Sequence, residues 1–265
     1  MQRFSFFSLP NTPFVKVLTV YIASLLLLSA CHVSAPVVKT EFSQYVFSNQ
    51  EWASIDSSIY RFILPYKTRV DSEMQEVIGY SSVALTGGQP ESLLGNYVAD
   101  LAMEEATLAY LPADGKSIDF CFLNNGGLRN TLPAGAITRQ NVFELMPFEN
   151  ELVVLTLDGP LVQKILHWIA VKGGEPVSGL RMKIRGGIPG EVYIKGMPLD
   201  STRTYKAVTS SYLANGGSNL YFLDKNVMRE YPGLKIRDAV MKHTLSLYAQ
   251  GQSINPWLDE RIQYE

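Results

Sequence analysis

The order of hydrophobic and polar positions predicts a mixture of helices and strands that starts near residue 55. Apolar residues recur at helical spacing from Ile59 to Val70, so the pattern predicts a first helix, in which Pro65 should cause a kink or a break. The same periodicities predict further helices over Glu91–Tyr110, Thr138–Leu145, 158–170 and Ile236–Tyr248, and strands over Val77–Leu85, Ile118–Leu123, Glu151–Leu157, Leu180–Ile184, Glu191–Lys195, Tyr205–Ser210 and Arg261–Tyr264. The helix over 158–170 should have Asp158 as its N-cap and Pro160 at an early helical position. Because the two types do not alternate strictly, they favour an α+β fold, a mixed β-sheet with flanking helices, over a doubly wound sheet.

The N-terminal segment has the pattern of an export signal. The apolar run Val17–Leu28 has twelve residues, whereas a membrane-spanning helix needs about 20, so a secretory signal is favoured over a span or a core helix. The sequence Leu-Ser-Ala-Cys that ends at Cys31 resembles a bacterial lipobox, which implies lipidation of Cys31; an ordinary signal peptide with an incidental cysteine is the alternative. We therefore expect a signal peptide over 1–30, a tether over 31–54 and one domain over 55–265. The resulting protein would be exported to the cell envelope and held at the membrane only through its lipid.

Composition excludes several classes of function. The chain has 23 basic and 25 acidic residues, so it lacks the positive excess expected of a nucleic-acid-binding protein. Apolar residues make up 46% of the chain, which is enough to form a buried core. Two cysteines exclude a disulfide framework and a cysteine-built zinc site. Cys121 lies within an apolar, strand-like run, which predicts a buried and unreactive thiol.

The sequence offers no catalytic residues and no metal site of its own. Only His32, His167 and His243 are present, and none belongs to a metal-binding or triad arrangement. The nucleophile elbow of hydrolases, the phosphate-binding loop of nucleotide triphosphatases and the dinucleotide-binding glycine pattern are also missing from the sequence.

One loop and two aromatic residues instead suggest ligand binding. The loop 124–129 follows a predicted strand, and its glycines, Gly126 and Gly127, would let backbone N–H groups converge on an anion. Arg129 adds a fork of donors suited to phosphate, and Asn124 can pair with the edge of a base. The rings of Phe148 and Tyr212 could form a slot for a planar ligand. From the residues alone, tight turns and ordinary core aromatics explain the same pattern.

Five segments in order carry a resemblance to a known family. They are ESLLGNYVAD (91–100), NNGGLR (124–129), LPAGAIT (132–138), MPFEN (146–150) and YLANGG (212–217). Together they resemble the C-terminal, substrate-binding domain of the 5′-nucleotidase family, which includes UDP-sugar hydrolases. The resemblance covers about 55–265 and implies the family's α+β fold.

The resemblance also implies a role for each matching residue. Phe148 and Tyr212 would sandwich a nucleobase, Asn124 would contact the base, and Arg129 at the end of the glycine loop would contact phosphate. Ser218 stands where the family usually has an aspartate that grips the ribose hydroxyls. Gly88 stands where some members have an arginine. Both departures lead us to expect modest affinity for a mononucleotide.

The family's catalytic half is missing from the printed sequence. That half is a metallophosphatase domain with two divalent metals, and the segment between Cys31 and the first helix is too short to contain it. Our main hypothesis is the nucleotide-binding half of a split phosphoesterase of nucleotide catabolism, with no cofactor of its own and a separate metallophosphatase chain that carries both metals. The alternatives are a non-catalytic nucleotide- or nucleoside-binding lipoprotein and a degenerate structural domain.

Overall fold

The computed structural model describes residues 57–223 and 227–265, together with a few helical positions between 13 and 24. The chain divides into two compact units, residues 1–57 and 58–265, and the second contains all the elements below apart from the first residue of the first helix. Cys31, His32 and the tether lie outside the described residues, so lipidation and tethering stay predictions. Among the residues described, no helix is long and apolar enough to cross a membrane.

Six α-helices and eleven strands lie within residues 57–223 and 227–265. The helices are α1 (Ser57–Met74), α2 (Leu93–Ala109), α3 (Arg139–Leu145), α4 (Gly159–Val171), α5 (Ser211–Ala214) and α6 (Ile236–Ala249). The strands are β1 (Val77–Ser81), β2 (Phe120–Phe122), β3 (Gly135–Thr138), β4 (Leu152–Asp158), β5 (Val177–Ser178), β6 (Leu180–Arg185), β7 (Ile188–Ile194), β8 (Met197–Pro198), β9 (Thr204–Ser210), β10 (Met228–Glu230) and β11 (Ile262–Tyr264). The predicted α+β fold, a mixed sheet with flanking helices, is confirmed.

A mixed five-stranded sheet forms the centre of the domain, in the order β10-β4-β9-β2-β5. Strand β2 runs parallel to β9, and all other neighbours in this sheet are antiparallel. The other sheets are a four-stranded one in the order β11-β6-β7-β8 and an antiparallel pair of β1 with β3. Since β2 and β9 are parallel while β4 is antiparallel to β9, the ends of β2 and β9 and the start of β4 lie at one edge of the central sheet.

Alternate side chains of the central strands pack into two separate hydrophobic clusters. Cys121 and Val208 belong to a cluster with α2, α3 and α6, whereas Phe120, Phe122 and Ala207 belong to a cluster with α4 and the four-stranded sheet. This is the two-residue alternation expected of a strand with both faces covered. Cys121 is fully buried, as predicted, and this burial raises the pKa of its thiol well above the usual range.

Two local predictions have opposite outcomes. The carboxylate of Asp158 accepts a hydrogen bond from the N–H of Leu161 at 2.8 Å and caps α4, with Pro160 in the first turn as the sequence predicts. Of the two expectations at Pro65, the break is wrong, because α1 continues through it to Met74, and the kink stays a prediction. Helix α1 also leaves its apolar residues exposed, Phe62 at 72%.

Candidate functional site

The predicted ligand-binding residues follow or precede strands that end at the same edge of the central sheet. The glycine loop leaves β2, Tyr212 follows β9, and Phe148 comes shortly before β4. The hydroxyl of Thr209 near the end of β9 donates to the carbonyl of Phe122 at the end of β2, at 2.7 Å, so the two strand ends are in register. The topology therefore brings together segments that are far apart in sequence.

The backbone of the glycine loop forms a 3₁₀ turn over Asn125–Gly127, and most of its N–H groups have partners. Gly127 and Leu128 donate within the turn at 2.9 and 3.0 Å, and Arg129 donates to the carbonyl of Leu145 at 2.8 Å. The N–H of Asn125 donates to the carboxylate of Glu175 at 2.6 Å. The predicted row of N–H groups free to bind an anion is therefore wrong, because acceptors in the turn, on Leu145 and on Glu175 already use four of them.

The two glycines of this loop make room for a side chain. A Cβ atom on Gly126 or Gly127 would lie 3.2 or 3.3 Å from the amide group of Asn124, closer than most such contacts. The Asn124 side chain thus lies across both glycines. The loop's contribution to a site is therefore one well-placed amide together with the exposed guanidinium of Arg129, whose Nη1 donates to the carbonyl of Gly126 at 3.2 Å.

Phe148 lies in a turn that hydrogen bonds from two basic residues stabilise. Arg237 donates to Glu149 and, at 3.4 Å each, to the carbonyls of Met146 and Pro147, and Lys235 also pairs with Glu149. These hydrogen bonds, first from Lys235 and then from Arg237, lower the pKa of the Glu149 carboxyl. Sequence reasoning missed this clamp, because both cations lie more than 80 residues away in α6 and the residue before it.

Tyr212 is held against the second glycine-rich turn. Its hydroxyl accepts the backbone N–H of Ser218 at 3.1 Å, and this bond lowers the pKa of the phenol. A Cβ on Gly217 would lie only 2.6 Å from the Tyr212 ring, so a glycine is required there. The carbonyl of Ser218 accepts a hydrogen bond from the indole N–H of Trp168 at 2.9 Å, which ties the turn to α4.

The segments that carry the two rings are joined by backbone contacts. Ser211 donates its N–H to the carbonyl of Glu151 at 2.8 Å, and its hydroxyl accepts the N–H of Glu151 at 3.1 Å. Phe148 and Tyr212 are each about half exposed, and within 57–223 and 227–265 they are not in ring contact with each other. About half of each ring's surface is therefore open to solvent.

Two neighbouring clefts divide the remaining site residues. Asn124, Gly127 and Phe148 line a narrow cleft of about 20 Å³, whereas Arg129 lines a wider one of about 490 Å³ beside Gly88. Leu128 belongs to both, so the clefts adjoin each other. Tyr212 and Ser218 line neither cleft.

Sequence reasoning missed a second element, the turn at residues 172–175 after α4, which bonds to two residues that line the wider cleft. The amide of Gln89 donates to the carbonyls of Lys172 and, at 3.4 Å, Gly174, and the amide of Asn125 donates to Gly174 at 3.2 Å. The turn thus joins the loop before α2 to the glycine loop. Its Glu175 is 7% exposed, and desolvation raises the pKa of this carboxyl.

Replacing Gly174 by alanine should destabilise the domain by about 3 kcal/mol or more. Gly174 has φ +114°, and an added Cβ would lie 2.2 Å from the carbonyl oxygen of Pro90, so strain and a backbone clash add together. Gly251→Ala is the matched control, since Gly251 also has positive φ (+70°) but nothing within 4 Å of the added atom, and should cost about 1–2 kcal/mol. Urea unfolding measures both variants, and equal losses would show that the contact with Pro90 is unimportant.

The described residues contain no group of three or more His, Cys, Asp or Glu side chains placed to hold a metal ion. His167 is exposed on α4. His243 packs edge-on against the ring of Tyr97 at 5.9 Å. The donor set of this part of the chain therefore does not fit a dinuclear metal centre.

Comparison with known proteins places the domain and its candidate site residues in one family. The profile of the family described as "5′-nucleotidase, C-terminal domain" matches residues 77–225, which include the glycine loop, Phe148, Tyr212 and Ser218. The chain belongs to this family. The curated 5′-nucleotidase of Vibrio vulnificus is 26% identical over 214 residues, and the UshA protein of Yersinia enterocolitica is 26% identical over 210 residues. Each alignment covers 71% of this chain and 36% of the relative.

Solved structures share the fold of this chain. The 5′-nucleotidase precursor of Thermus thermophilus superposes with a TM-score of 0.64 at 28% identity, over 79% of this chain and 43% of that one. The NAD nucleotidase of Haemophilus influenzae shares the fold, with a TM-score of 0.59 at 17% identity, over 86% of this chain and 47% of that one. This member of the 5′-nucleotidase C-terminal domain family thus spans about a third of the length of the curated relatives it matches.

Proposed function

We propose that this chain is the nucleotide-binding half of a split 5′-nucleotidase-type phosphoesterase of nucleotide catabolism, completed by a separate metallophosphatase chain. The observation that carries the proposal is the convergence of the glycine loop and the segments bearing Phe148 and Tyr212 at one sheet edge, within a fold that matches only the C-terminal domain of the family.

The arrangement supports a definite placement of the ligand. The base would stack between Phe148 and Tyr212 with its edge against Asn124, because both rings are half exposed and belong to adjoining segments. The phosphate would lie in the wider cleft, where Arg129 offers an exposed guanidinium. Ser218 would offer one uncharged contact to the ribose.

The chemistry would be divided between two chains. The two divalent metals of the family would belong to the metallophosphatase chain, which would also supply the water that attacks phosphorus. This chain would hold the base and the sugar and so fix the orientation of the phosphate toward that centre. We also propose that the protein is exported and held at the cell envelope by a lipid on Cys31, as the lipobox-like sequence predicts.

Calorimetry with AMP and adenosine tests the binding half of the proposal. The full chain should bind both ligands, and Arg129→Met should weaken AMP roughly tenfold or more while leaving adenosine nearly unchanged, since only AMP has a charge-assisted bond to lose. Arg185→Met is the control, because Arg185 is 79% exposed on the four-stranded sheet and pairs there with Glu265. Failure of the wild-type chain to bind either ligand would leave the degenerate structural domain as the better explanation.

Phosphate release tests the split. AMP should be hydrolysed poorly by this chain alone and by a purified metallophosphatase domain alone, but efficiently by their mixture. Hydrolysis by this chain alone at the rate of a complete enzyme would contradict the proposal. Binding without any stimulation would instead identify a nucleotide-capture lipoprotein.

A further inference from the structure

Glu175 is a buried carboxylate directly beneath the glycine loop. It is 7% exposed and accepts the N–H of Asn125 at 2.6 Å, at the start of the 3₁₀ turn. Asn124 is the N-cap residue of this turn, but its side chain makes no capping hydrogen bond. Glu175 therefore provides from another element the acceptor that the turn's own sequence does not.

The negative charge of Glu175 has little local compensation. Within the described residues, no Lys, Arg or His nitrogen lies within 4.0 Å of its carboxylate. Arg261 borders the same small cavity, but its guanidinium is already bonded to Asp100 and Asp259 and faces Glu91 at 3.7 Å. Lys172, at the end of α4, acts on Glu175 only at longer range.

The same carboxylate is linked to the proposed phosphate position through Asn125. Asn125 lines both the small cavity that contains Glu175 and the wider cleft that contains Arg129. A ligand phosphate beside Arg129 would therefore meet one exposed cation in front of the loop and one buried anion behind it. Salt screens a buried charge much less than it screens a charge exposed to solvent.

We propose that Glu175 is a positioning residue of the glycine loop, and that its charge weakens the binding of phosphorylated ligands relative to the uncharged nucleoside. This inference rests on the proposed function. The hydrogen bond to Asn125 fixes the loop for every ligand, whereas the charge acts only on ligands that carry phosphate. Glu175 would thus make the site less selective for highly charged nucleotides, in the same direction as the absent cation at Gly88.

A charge-neutral variant separates the two effects. Glu175→Gln keeps an oxygen that can accept the Asn125 N–H but removes the charge. At pH 7.5 it should bind AMP roughly fivefold or more tightly than the wild-type chain and bind adenosine within about twofold of it. Glu191→Gln, a 60% exposed carboxylate on the four-stranded sheet, is the control and should change neither affinity.

Lowering the pH should abolish the difference. Because burial raises the pKa of Glu175, its carboxyl takes up a proton at a higher pH than an exposed glutamate does, and the ratio of the two AMP affinities should approach one as the pH is lowered through that titration. The ratio removes the protonation of the phosphate itself, which both chains experience equally. The other charged groups around the loop, Arg129, Lys172, Arg261 and Glu91, are present in both chains and cancel in the same way.

The outcomes are distinct. An unchanged AMP affinity in Glu175→Gln, or equal changes for AMP and adenosine, would overturn the inference while leaving the proposed function intact. If the wild-type chain binds neither ligand, the proposed function fails and the inference fails with it. If the variant does not fold, the backbone amide resonance of Asn125 in the wild-type chain is the deciding measurement. It should move as the pH is lowered from 7.5 through the titration of Glu175, and a resonance that stays fixed over the whole acid range in which the chain remains folded would overturn the inference.

Discussion

Replacing Arg261 by methionine should lower the free energy of unfolding by about 3–5 kcal/mol, a large part of the roughly 5–15 kcal/mol of a typical domain. The Arg261 side chain is 9% exposed and donates to Asp100 at 2.7 and 3.0 Å, to Asp259 at 2.7 Å and to the carbonyl of Val177 at 2.9 Å. Its loss would leave Glu91, whose side chain is only 8% exposed, without its nearby cation. Such uncompensated buried charge is the main reason that truncating one member of a buried ionic group is costly.

Arg181→Met is the matched control for this prediction. Arg181 pairs with the same carboxylate, Asp259, at 2.8 Å, but its own side chain is 52% exposed. Exposed ion pairs contribute about 0–1 kcal/mol, so this variant should unfold almost as the wild-type chain does in urea. Equal losses in the two variants would show that burial of the guanidinium does not determine the energy of the cluster.

Removing either aromatic ring at the sheet edge should weaken ligand binding by about 1–3 kcal/mol, which corresponds to roughly 5- to 150-fold in affinity. Phe148→Ala and Tyr212→Ala should each have this effect on adenosine as well as on AMP, because stacking involves the base and not the phosphate. Since both rings are about half exposed, neither substitution should greatly change the free energy of unfolding. Calorimetry together with urea unfolding measures the two quantities separately.

Two further variants sharpen this prediction. Tyr212→Phe retains the ring and loses only the acceptor of the Ser218 N–H, so it should bind more nearly like the wild-type chain. Phe62→Ala removes an exposed ring on α1, outside the site, and should leave both affinities unchanged. Wild-type affinity in both alanine variants at the sheet edge would rule out a base slot between the two rings.

Much of the fold could be predicted because its signals are local. Asp158 and Pro160 mark the start of α4, next to a periodic apolar face. Strands β4 and β9 are runs rich in β-branched residues. The short strands β3, β5, β8 and β10 were not predicted, because two to four residues carry almost no periodicity of their own. Strand β2 is equally short, but it lies within the longer apolar run Ile118–Leu123, which the sequence does show. At Pro65 a local signal was present but gave the wrong result: proline usually ends a helix, yet α1 continues through this residue.

The site was predictable only as far as its own motifs reach. The glycine loop, Phe148 and Tyr212 belong to recognisable segments, but the residues that hold them are distant in sequence. Glu175 lies 50 residues after Asn125, in a Gly-Gly-Glu-Pro stretch that indicates nothing more than a turn. The error about free N–H groups has the same origin, because the sequence of a loop does not show which of its donors another element will use.

The parallel pairing of β2 with β9 has a consequence for how the protein is made. The bond between Thr209 and Phe122 joins residues 87 positions apart, and contacts of such separation form late because a long loop must first be closed. A nascent chain that has emerged only as far as the glycine loop contains none of the later strands, turns or carboxylates that give the loop its shape. Capacity to bind would therefore appear near the end of synthesis, well after most of the helices can form.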